Sequence, residues 1–393
     1  MLSVFRPVPT PSPLSPVPRK LFSKVIIAVV ALPLLFEIIC WMFVRFPAEP
    51  LRTLDLDNDI PGFKKNVRIV FGEDQVRYLG EWSEGKKPEG TVRILCVGGI
   101  ATLGMLQAAE DTWWGRLHVS LTKNGLKVQT AARGFDRVTA LGMAAFMGPS
   151  VDRLKPDIII LNAGFDDVIV HPADYTYDKD RAANIPKAAP PSALKSFLLK
   201  YSQMARFKRW WNRDSEGKQM QNQMGRKDVY KRYFEEVKKE REKFSWFSGV
   251  PRAAGLNDPL PEYIDGLAAW RDLAAGVKAK LILTGEATVH DQSDLIQTSA
   301  GNLLAYIALE KPDAEGKARA ARPDPAWVKR EMERFAFKAE TFAADNKLTW
   351  FDLNGKIDRS PRNFFTDVLL TDEGAGKAAE ELLPVVEPVV RGK

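Results

Sequence analysis

Hydrophobic and polar residues along most of the chain alternate between strand-like and helix-like stretches. Four short apolar runs are typical of strands buried on both faces of a parallel sheet, and they lie at residues 91–99, 127–132, 156–161 and 279–284. Helical periodicity occupies residues 112–124, 140–153, 260–276 and 326–345. Strands that alternate with helices predict an α/β domain, a three-layer sandwich with a mainly parallel sheet.

A continuous apolar run, VIIAVVALPLLFEIICWMFV, occupies residues 25–44 and is long enough to cross a membrane as a helix. It is longer than the core of a cleavable signal peptide, so we interpret it as a retained anchor. More basic residues precede the run than follow it closely, which places the N-terminus in the cytoplasm. We therefore expect a single-pass protein whose C-terminal part is extracytoplasmic.

The segments around the span are expected to be irregular. Residues 1–24 contain the proline-rich stretch PVPTPSPLSPVP and predict a disordered cytoplasmic tail. Residues 45–90 read as a loosely structured linker leading to a domain of residues 91–393. Within the span, Glu37 is costly in a membrane; it is either protonated, snorkelling or paired with Arg45, or it has a role in helix association.

The stretch at about 172–258 is too long for a simple crossover between the third and fourth predicted strands and predicts a helical, basic insertion. Its first helix is expected at 193–211, where basic and aromatic residues interleave. Such a helix is typical either of a lid packed on its own domain or of contact with lipid headgroups. We expect no nucleic-acid partner for an exported domain.

Composition narrows the function classes. Hydrophobic residues make up 45% and charged residues 27% of the chain, which excludes disorder throughout. The net charge of +7 is mildly basic and is compatible with anionic lipid or polysaccharide. With 2 cysteines and 3 histidines, neither a disulfide framework nor a metal centre rich in these residues is expected, and we predict no cofactor.

Four segments carry the candidate chemistry, because open α/β sheets bind ligands where their strands end. They are GGIATLG at 98–104, AARG at 131–134, NAGFDD at 162–167 and FFTDVLLTDEG at 364–374. In this order and spacing they resemble the signature blocks of the SGNH (GDSL-type) hydrolases, in particular the membrane-anchored bacterial members. The resemblance covers roughly residues 30–390 and implies a bacterial cytoplasmic (inner) membrane location.

The resemblance implies acyl or ester transfer with a serine nucleophile, a glycine N–H and an asparagine amide for the oxyanion, and a C-terminal Asp-x-x-His. These family positions fall on Ile100, Gly134, Asp166, Thr366 and Leu369. Only the glycine matches. Ile100 has no nucleophilic atom, Leu369 cannot take a proton, and an ionised Asp166 would repel the oxyanion. The resemblance therefore implies a degenerate catalytic set and a pseudoenzyme.

A rebuilt site remains an alternative. Thr102 is a candidate nucleophile, although in this turn it is also a candidate cap of the following helix. Asp166 and Asp167, together with Asp136 or Asp367, are candidate ligands of a hard cation, although adjacent aspartates usually point apart.

The three histidines are weaker candidates. His290 follows the fourth strand and His171 follows the third block, so each is either a crevice residue or a hydrogen-bonded loop histidine. His118 reads as a helix-surface residue.

Two hypotheses follow. The first is a catalytically inactive SGNH-like protein that acts as a binding or scaffold component at the extracytoplasmic face, with the membrane and envelope proteins or glycans as partners. The second is an esterase or O-acyltransferase that acts on cell-envelope glycans through a non-standard site. The fold cannot choose between them, because function resides in the site.

Overall fold

A computed structural model provides the structure of the chain. It describes residues 52–56, 62–64, 67–72, 75–80, 82, 87–169, 202–204, 206–208, 211, 244–250, 258–290, 307–308, 318–323, 325–360 and 362–393. The chain divides into two compact units: Met1–Glu49 with Ala193–Asn212, and Pro50–Ser192 with Arg213–Lys393. The elements named below belong to the second unit.

Strands and helices alternate along the described chain. The strands are β1 (Arg52–Leu56), β2 (Val67–Phe71), β3 (Arg77–Leu79), β4 (Val92–Gly98), β5 (Val128–Gly134), β6 (Ile158–Ala163), β7 (Phe244–Val250), β8 (Lys280–Gly285), β9 (Ile307–Ala308), β10 (Ala318–Pro323) and β11 (Thr349–Asp352). The helices are α1 (Ile100–Leu103), α2 (Trp113–Lys123), α3 (Ala140–Leu154), α4 (Phe165–Ile169), α5 (Leu260–Gly276), α6 (Pro325–Asp345) and α7 (Asp372–Arg391). The four strands and four helices predicted for the α/β domain are present within about two residues of their expected ends.

The main sheet has the strand order β11-β8-β6-β4-β5-β3. Its strands run parallel except β3, which pairs antiparallel with β5 at one edge. Every residue of β4 and of β6 is buried, as expected for strands that are covered by helices on both faces. The structure confirms an α/β fold with a mainly parallel sheet.

Alternate residues of the central strands face two separate hydrophobic cores. On one face, Leu95 and Ile159 pack with residues of α3, α5 and α6 that include Met143, Trp270 and Phe335. On the other face, Ile94 and Ile160 pack with residues of α2 and α7 that include Trp114 and Leu382. The sheet therefore lies between two helical layers, which is the predicted three-layer sandwich.

The segment expected to be a loosely structured linker contributes strands to the fold. β1 and β2 pair as an antiparallel ribbon, and β3 extends the main sheet. On β2, Val67, Ile69 and Phe71 are buried in alternation with less buried neighbours. This period of two is the pattern of a strand with one covered face, so at least the described part of residues 45–90 belongs to the domain.

The insertion is not helical throughout. Its described residues 203–204, 206–208 and 211 are helical, within the helix predicted at 193–211. Residues 244–250 instead form β7, which pairs parallel with β10, and β10 pairs antiparallel with β9. The interpretation of 172–258 as helical is therefore wrong at β7, whose sequence FSWFSGV is rich in aromatic residues that favour strands.

The predicted membrane span at 25–44, including Glu37, and the predicted tail at 1–24 lie outside the described residues. Among the residues that the structure does describe, no helix is both long enough and apolar enough to cross a membrane. The single-pass topology stays a prediction.

Arg77, on β3, connects this edge strand by hydrogen bonds to the turn that follows β4. Its side chain is buried, and its guanidinium donates to the carbonyl oxygens of Leu103 (2.7 Å), Gly104 (3.0 Å) and Gln107 (2.7 Å). Burial lowers the pKa of this guanidinium to about 10. The three hydrogen bonds offset the cost of burying the charge and satisfy backbone acceptors that face the interior.

Replacing Arg77 with Met is expected to destabilise the protein by about 3 kcal/mol or more, because buried carbonyl oxygens lose their donors. Urea unfolding of the full-length protein in detergent measures this change. Arg68→Met on β2 is the matched control, because Arg68 and its partner Asp55 are both exposed and such pairs contribute at most about 1 kcal/mol. Equal losses in the two variants would contradict the anchoring role of Arg77.

Candidate functional site

The carboxyl ends of the parallel strands bring the predicted segments together at one edge of the sheet. Gly134, Gly98, Asn162 and Thr284 are register partners in neighbouring strands and form one row across the sheet. Thr284 Oγ1 donates to Asn162 Oδ1 at 3.1 Å within this row. Residues that follow the row directly are therefore the candidates for chemistry.

The turn after β4 is packed too closely for side chains at its glycines. A Cβ on Gly98 would lie 2.3 Å from the carbonyl oxygen of Asn162 and 2.4 Å from Thr102 Oγ1. A Cβ on Gly134 would lie 2.0 Å from the backbone nitrogen of Leu103. Both positions require glycine, and Gly134 stands beside α1, where the resemblance places it. Its role as an oxyanion donor stays a prediction.

The positions expected for the nucleophile and the base meet in an apolar cluster. Ile100 begins α1 and is half-buried, whereas Leu369 is fully buried. Both belong to a hydrophobic cluster whose other members include Val67, Ile69 and Phe71 of β2. The structure thus brings these two predicted positions together, but the contact between the segments is apolar and offers neither a hydroxyl nor an imidazole.

Two threonines are candidate site residues. The hydroxyl of one makes a local hydrogen bond, and the hydroxyl of the other makes none among the described residues. Thr366 Oγ1 accepts a hydrogen bond from the backbone N–H of Leu369 at 3.1 Å. Thr102 is fully buried inside α1, and its Oγ1 has no hydrogen-bond partner among the described residues. The residue at the start of α1 is Gly99, with no side-chain cap, so the interpretation of Thr102 as a cap is wrong. Its burial keeps its hydroxyl away from any substrate.

An acid pair, Asp166 and Glu286, lies where β6 and β8 end. Asp166 is in the first turn of α4, and Glu286 directly follows β8. A Cβ on Gly99 would lie 3.2 Å from Asp166 Oδ2 and 2.7 Å from Glu286 Oε1, so both oxygens converge on the turn after β4. Glu286 Oε2 accepts from the backbone N–H of Phe165 at 3.3 Å. The two converging oxygens lack hydrogen-bond donors among the described residues.

The acid pair holds a proton at neutral pH. Burial and, to a smaller extent, the charge of Asp136 raise the pKa of Asp166 to about 7, against a backbone hydrogen bond from Val138 and the charge of Arg137. Burial also raises the pKa of Glu286 well above its ordinary value, and the charge of Asp166 adds to this. Because ionised Asp166 disfavours ionisation of Glu286, this buried pair favours a protonated carboxyl group.

Asp167, the neighbour of Asp166 along the chain, has a structural contact of its own. Its Oδ1 accepts from the backbone N–H of Ala140 at 2.9 Å, at the N-terminus of α3. Thr139, the residue before that helix, donates to Glu262 Oε1 at 2.9 Å. Burial raises the pKa of Asp167 well above its ordinary value. Asp167 therefore anchors a helix, and its charge also disfavours ionisation of Glu286.

His290 pairs with Asp367 at the carboxyl edge. Its Nε2 lies 2.5 Å from Asp367 Oδ1, and both side chains are buried. Its ring stacks on Phe165, with 5.8 Å between the ring centroids. Since a carboxylate only accepts, Nε2 carries the proton of this contact, and Nδ1 has no hydrogen-bond partner among the described residues. Of the alternatives for His290, the hydrogen-bonded loop histidine is confirmed.

The remaining candidates form no further catalytic or metal-binding cluster among the described residues. His118 on α2 is half-buried, with its Nδ1 3.0 Å from Thr130 Oγ1, so it is less exposed than a helix-surface residue. His171 lies outside the described residues. Asp136 and Asp367 influence the charge around Asp166, but within the described part of the chain no three His, Cys, Asp or Glu side chains are arranged to hold a metal ion.

Comparisons with known proteins return structures but no sequence relatives. No family model and no curated protein matches the sequence. A carbohydrate acetylesterase family member from Sinorhizobium meliloti is 11% identical with a TM-score of 0.40, and the match covers 76% of this chain and 99% of that one. A GDSL-like lipase from Bacteroides thetaiotaomicron VPI-5482 is 13% identical with a TM-score of 0.35, covering 79% and 92%. These TM-scores are low, so the description of the fold rests on its strand order.

The stability of the protein is expected to fall as the pH rises from about 5 to about 8. The unfolded chain releases the Asp166 proton near pH 4, whereas the folded protein keeps it up to about pH 7. In this window the folded state binds more protons, so each one costs about 1.4 kcal/mol of stability per pH unit. The retained proton of Glu286 extends the loss to higher pH.

Urea unfolding of the full-length protein at several pH values measures this slope. Asp166→Asn removes the titrating carboxyl and should flatten the slope. Asp152→Asn is the control, because Asp152 is exposed on α3 and should leave the slope unchanged. An Asp166→Asn variant with the full slope would show that the carboxyl is ionised in the folded protein.

Proposed function

We propose that this chain is an SGNH-like protein that lacks serine-hydrolase chemistry and acts as a binding or scaffold component at the extracytoplasmic face of a bacterial cytoplasmic membrane. The observation that carries the proposal is the apolar cluster at the family's nucleophile and base positions. Ile100 and Leu369 pack with β2 where a serine and a histidine would have to exchange a proton. An apolar contact at this place stabilises the fold and supports no proton transfer.

The loss of catalytic rate expected from these replacements supports an inactive site. In a well-studied serine protease, removal of the nucleophile or its base costs about 10⁶ in rate, and removal of one oxyanion donor about 10² to 10³. Here Asp166 stands at the oxyanion position, and the acid pair prefers to keep a proton instead of accepting further negative charge beside it. An acyl-transfer transition state would place a negative charge against this pair.

The second candidate is an esterase or O-acyltransferase acting on cell-envelope glycans. One observation favours it: His290 and Asp367 form a buried imidazole–carboxylate pair, the arrangement of a general base with its orienting acid. The candidate nucleophile Thr102 is fully buried, which counts against this alternative. A catalytic role for the pair predicts turnover that His290→Ala abolishes.

The unmodified full-length protein is expected to show no labelling by fluorophosphonate probes and no turnover of p-nitrophenyl acetate or acetylated glycans above the uncatalysed rate. The reason is that position 100 carries no nucleophilic atom. In-gel fluorescence and a spectrophotometric assay measure the two properties, and an active serine esterase serves as the positive control. Robust turnover that is lost in His290→Ala or Thr102→Ala would establish the second candidate instead.

Restoring single residues is expected to recover nothing, because the groups of such a site act as a unit. Ile100→Ser alone leaves the serine without a base and Asp166 in place. The four-fold variant Ile100→Ser, Asp166→Asn, Thr366→Asp and Leu369→His is expected to gain weak esterase activity. The same assay compares the two variants, and activity in Ile100→Ser alone would mean that another group already acts as the base.

The proposed location rests on the sequence of residues 1–52 and on the arrangement of charges around the apolar run. Fusion after Lys393 of a reporter that is active only outside the cytoplasm is expected to give signal, and a reporter active only inside is expected to give none. The same two reporters fused before Met1 should give the opposite result and serve as the control. Cytoplasmic signal after Lys393 would reverse the topology.

A further inference from the structure

Exposed lysines are concentrated where the parallel strands begin, at the edge of the main sheet opposite the candidate site. Lys127 directly precedes β5, and its carbonyl oxygen accepts from the backbone N–H of Val92, the first residue of β4, at 2.9 Å. Lys280 begins β8, and Lys347 lies two residues before β11, level with Lys280 in the register of that strand pair. We define the basic edge as six exposed lysines at this place: Lys123, Lys127, Lys155, Lys278, Lys280 and Lys347.

The charge of the basic edge is not neutralised within the described part of the chain. None of its six side chains has an ion-pair partner there. The nearby acids Asp157 and Glu387 already have cations of their own, Lys87 and Arg391. A net positive charge favours an anionic partner. The six lysines outnumber the exposed acids of this edge, which are Glu89, Asp152 and Asp345.

Three of these lysines occupy backbone positions that suit glycine better. Lys155, Lys278 and Lys347 follow the last turns of α3, α5 and α6 with φ values of 46°, 60° and 54°. A left-handed residue after a helix is usually glycine, because a Cβ in this conformation costs free energy. The negative end of each helix dipole offsets part of this cost. Because lysine recurs at all three positions, its charge, and not the backbone conformation, accounts for the residue type.

We propose that the basic edge contacts the surface of a lipid bilayer that contains anionic lipid, an inference that rests on the membrane anchor of the function proposed above. An edge lined with ammonium groups fits a plane of lipid phosphates, and each lysine close to such a surface strengthens binding about fivefold. The exposed large aromatic residues described in this unit, Phe146 and Phe337, lie in the middle of α3 and α6. The contact is therefore electrostatic and needs no insertion into the acyl chains.

The length of chain before β1 permits this contact. Seven residues separate the predicted span at 25–44 from Arg52, and they can extend to about 25 Å. This reach is comparable with the length of β4, which has seven residues and is about 23 Å long. An anchored domain also meets the bilayer at a high effective concentration, so weak contacts suffice. With the amino ends of the strands against the bilayer, the carboxyl edge and its acid pair face away from it.

Lysine acetylation of the full-length protein in lipid nanodiscs tests this contact. Sulfosuccinimidyl acetate modifies exposed amines, and peptide mass spectrometry measures the rate at each lysine. Discs of phosphatidylcholine are compared with discs that also contain phosphatidylglycerol. We expect Lys127 and Lys280 to react about threefold more slowly or less in the anionic discs, and this protection to disappear at about 0.5 M salt. Lys338, exposed on α6 away from the edge, is the internal control and should react alike in both discs.

Each other outcome has a defined meaning. Equal rates at Lys127 and Lys280 in the two kinds of disc, or equal slowing at Lys338, would overturn the proposal. Protection by soluble polygalacturonate in phosphatidylcholine discs, without any effect of phosphatidylglycerol, would assign the basic edge to an anionic polymer instead. Protein that remains outside the discs would reject the anchor and this inference with it. Hydrolysis by the unmodified protein would reject the inactive binding role and leave the lipid contact intact.

A triple glycine variant separates the charge of the basic edge from its role in the fold. Lys155→Gly with Lys278→Gly and Lys347→Gly removes three charges at positions whose φ values suit glycine, so the protein should stay folded. The protection of Lys127 and Lys280 by phosphatidylglycerol is expected to be largely lost. Lys338→Gln removes a charge away from the edge and should keep it. Circular dichroism verifies the fold of both variants, and full protection in the glycine variant would reject the basic edge as the contact surface.

Discussion

The burial of β4 on both faces restricts where the backbone and the side chains can lie at the carboxyl edge of the sheet. Its seven residues lie between two helical layers, with neighbouring strands on either side. A strand held this tightly must end in a turn that passes close to its neighbours, and the glycines at 98 and 134 reflect that closeness. Backbone atoms occupy the space at the row of residues where the strands end. Side chains that reach the edge therefore come from the first residues after each strand, which is where Ile100, Asp166 and Glu286 lie.

Two kinds of contact lie at this edge, and they have opposite effects on the stability of the fold. The cluster around Ile100 and Leu369 is apolar, and burial of its side chains stabilises the fold without any need for partners. The acid pair is buried with unpartnered oxygens, which costs stability. Proteins retain such costs mainly at functional sites. The edge thus contains side chains whose burial needs a functional reason.

Sequence patterns predicted the central sheet because its strands are continuous apolar runs. Elements with shorter or interrupted patterns were not predicted. β2 alternates over only five residues. α7 was not predicted, although Leu382 and Val386 give it a buried face, because Pro384 and Pro388 interrupt its helical pattern.

At the site, the positions Ile100 and Leu369 that the resemblance singled out lie in the same apolar cluster. Glu286 follows its strand directly and could have been found by the rule that identified Asp166. The pairing of His290 with Asp367 could not, because the two lie 77 residues apart and meet only through the tertiary fold.

The small sheet formed by β7, β9 and β10 joins two long connecting segments of the chain. β7 lies in the segment between β6 and α5, whereas β9 and β10 lie in the segment between β8 and α6. Since β10 is hydrogen-bonded to strands on both sides, each segment supplies strand pairing that the other would otherwise lack. Deleting either one would leave the remaining strands with exposed backbone edges, the usual starting point of aggregation. The two loops are therefore interdependent, and a shortened version of this protein would have to lose both together.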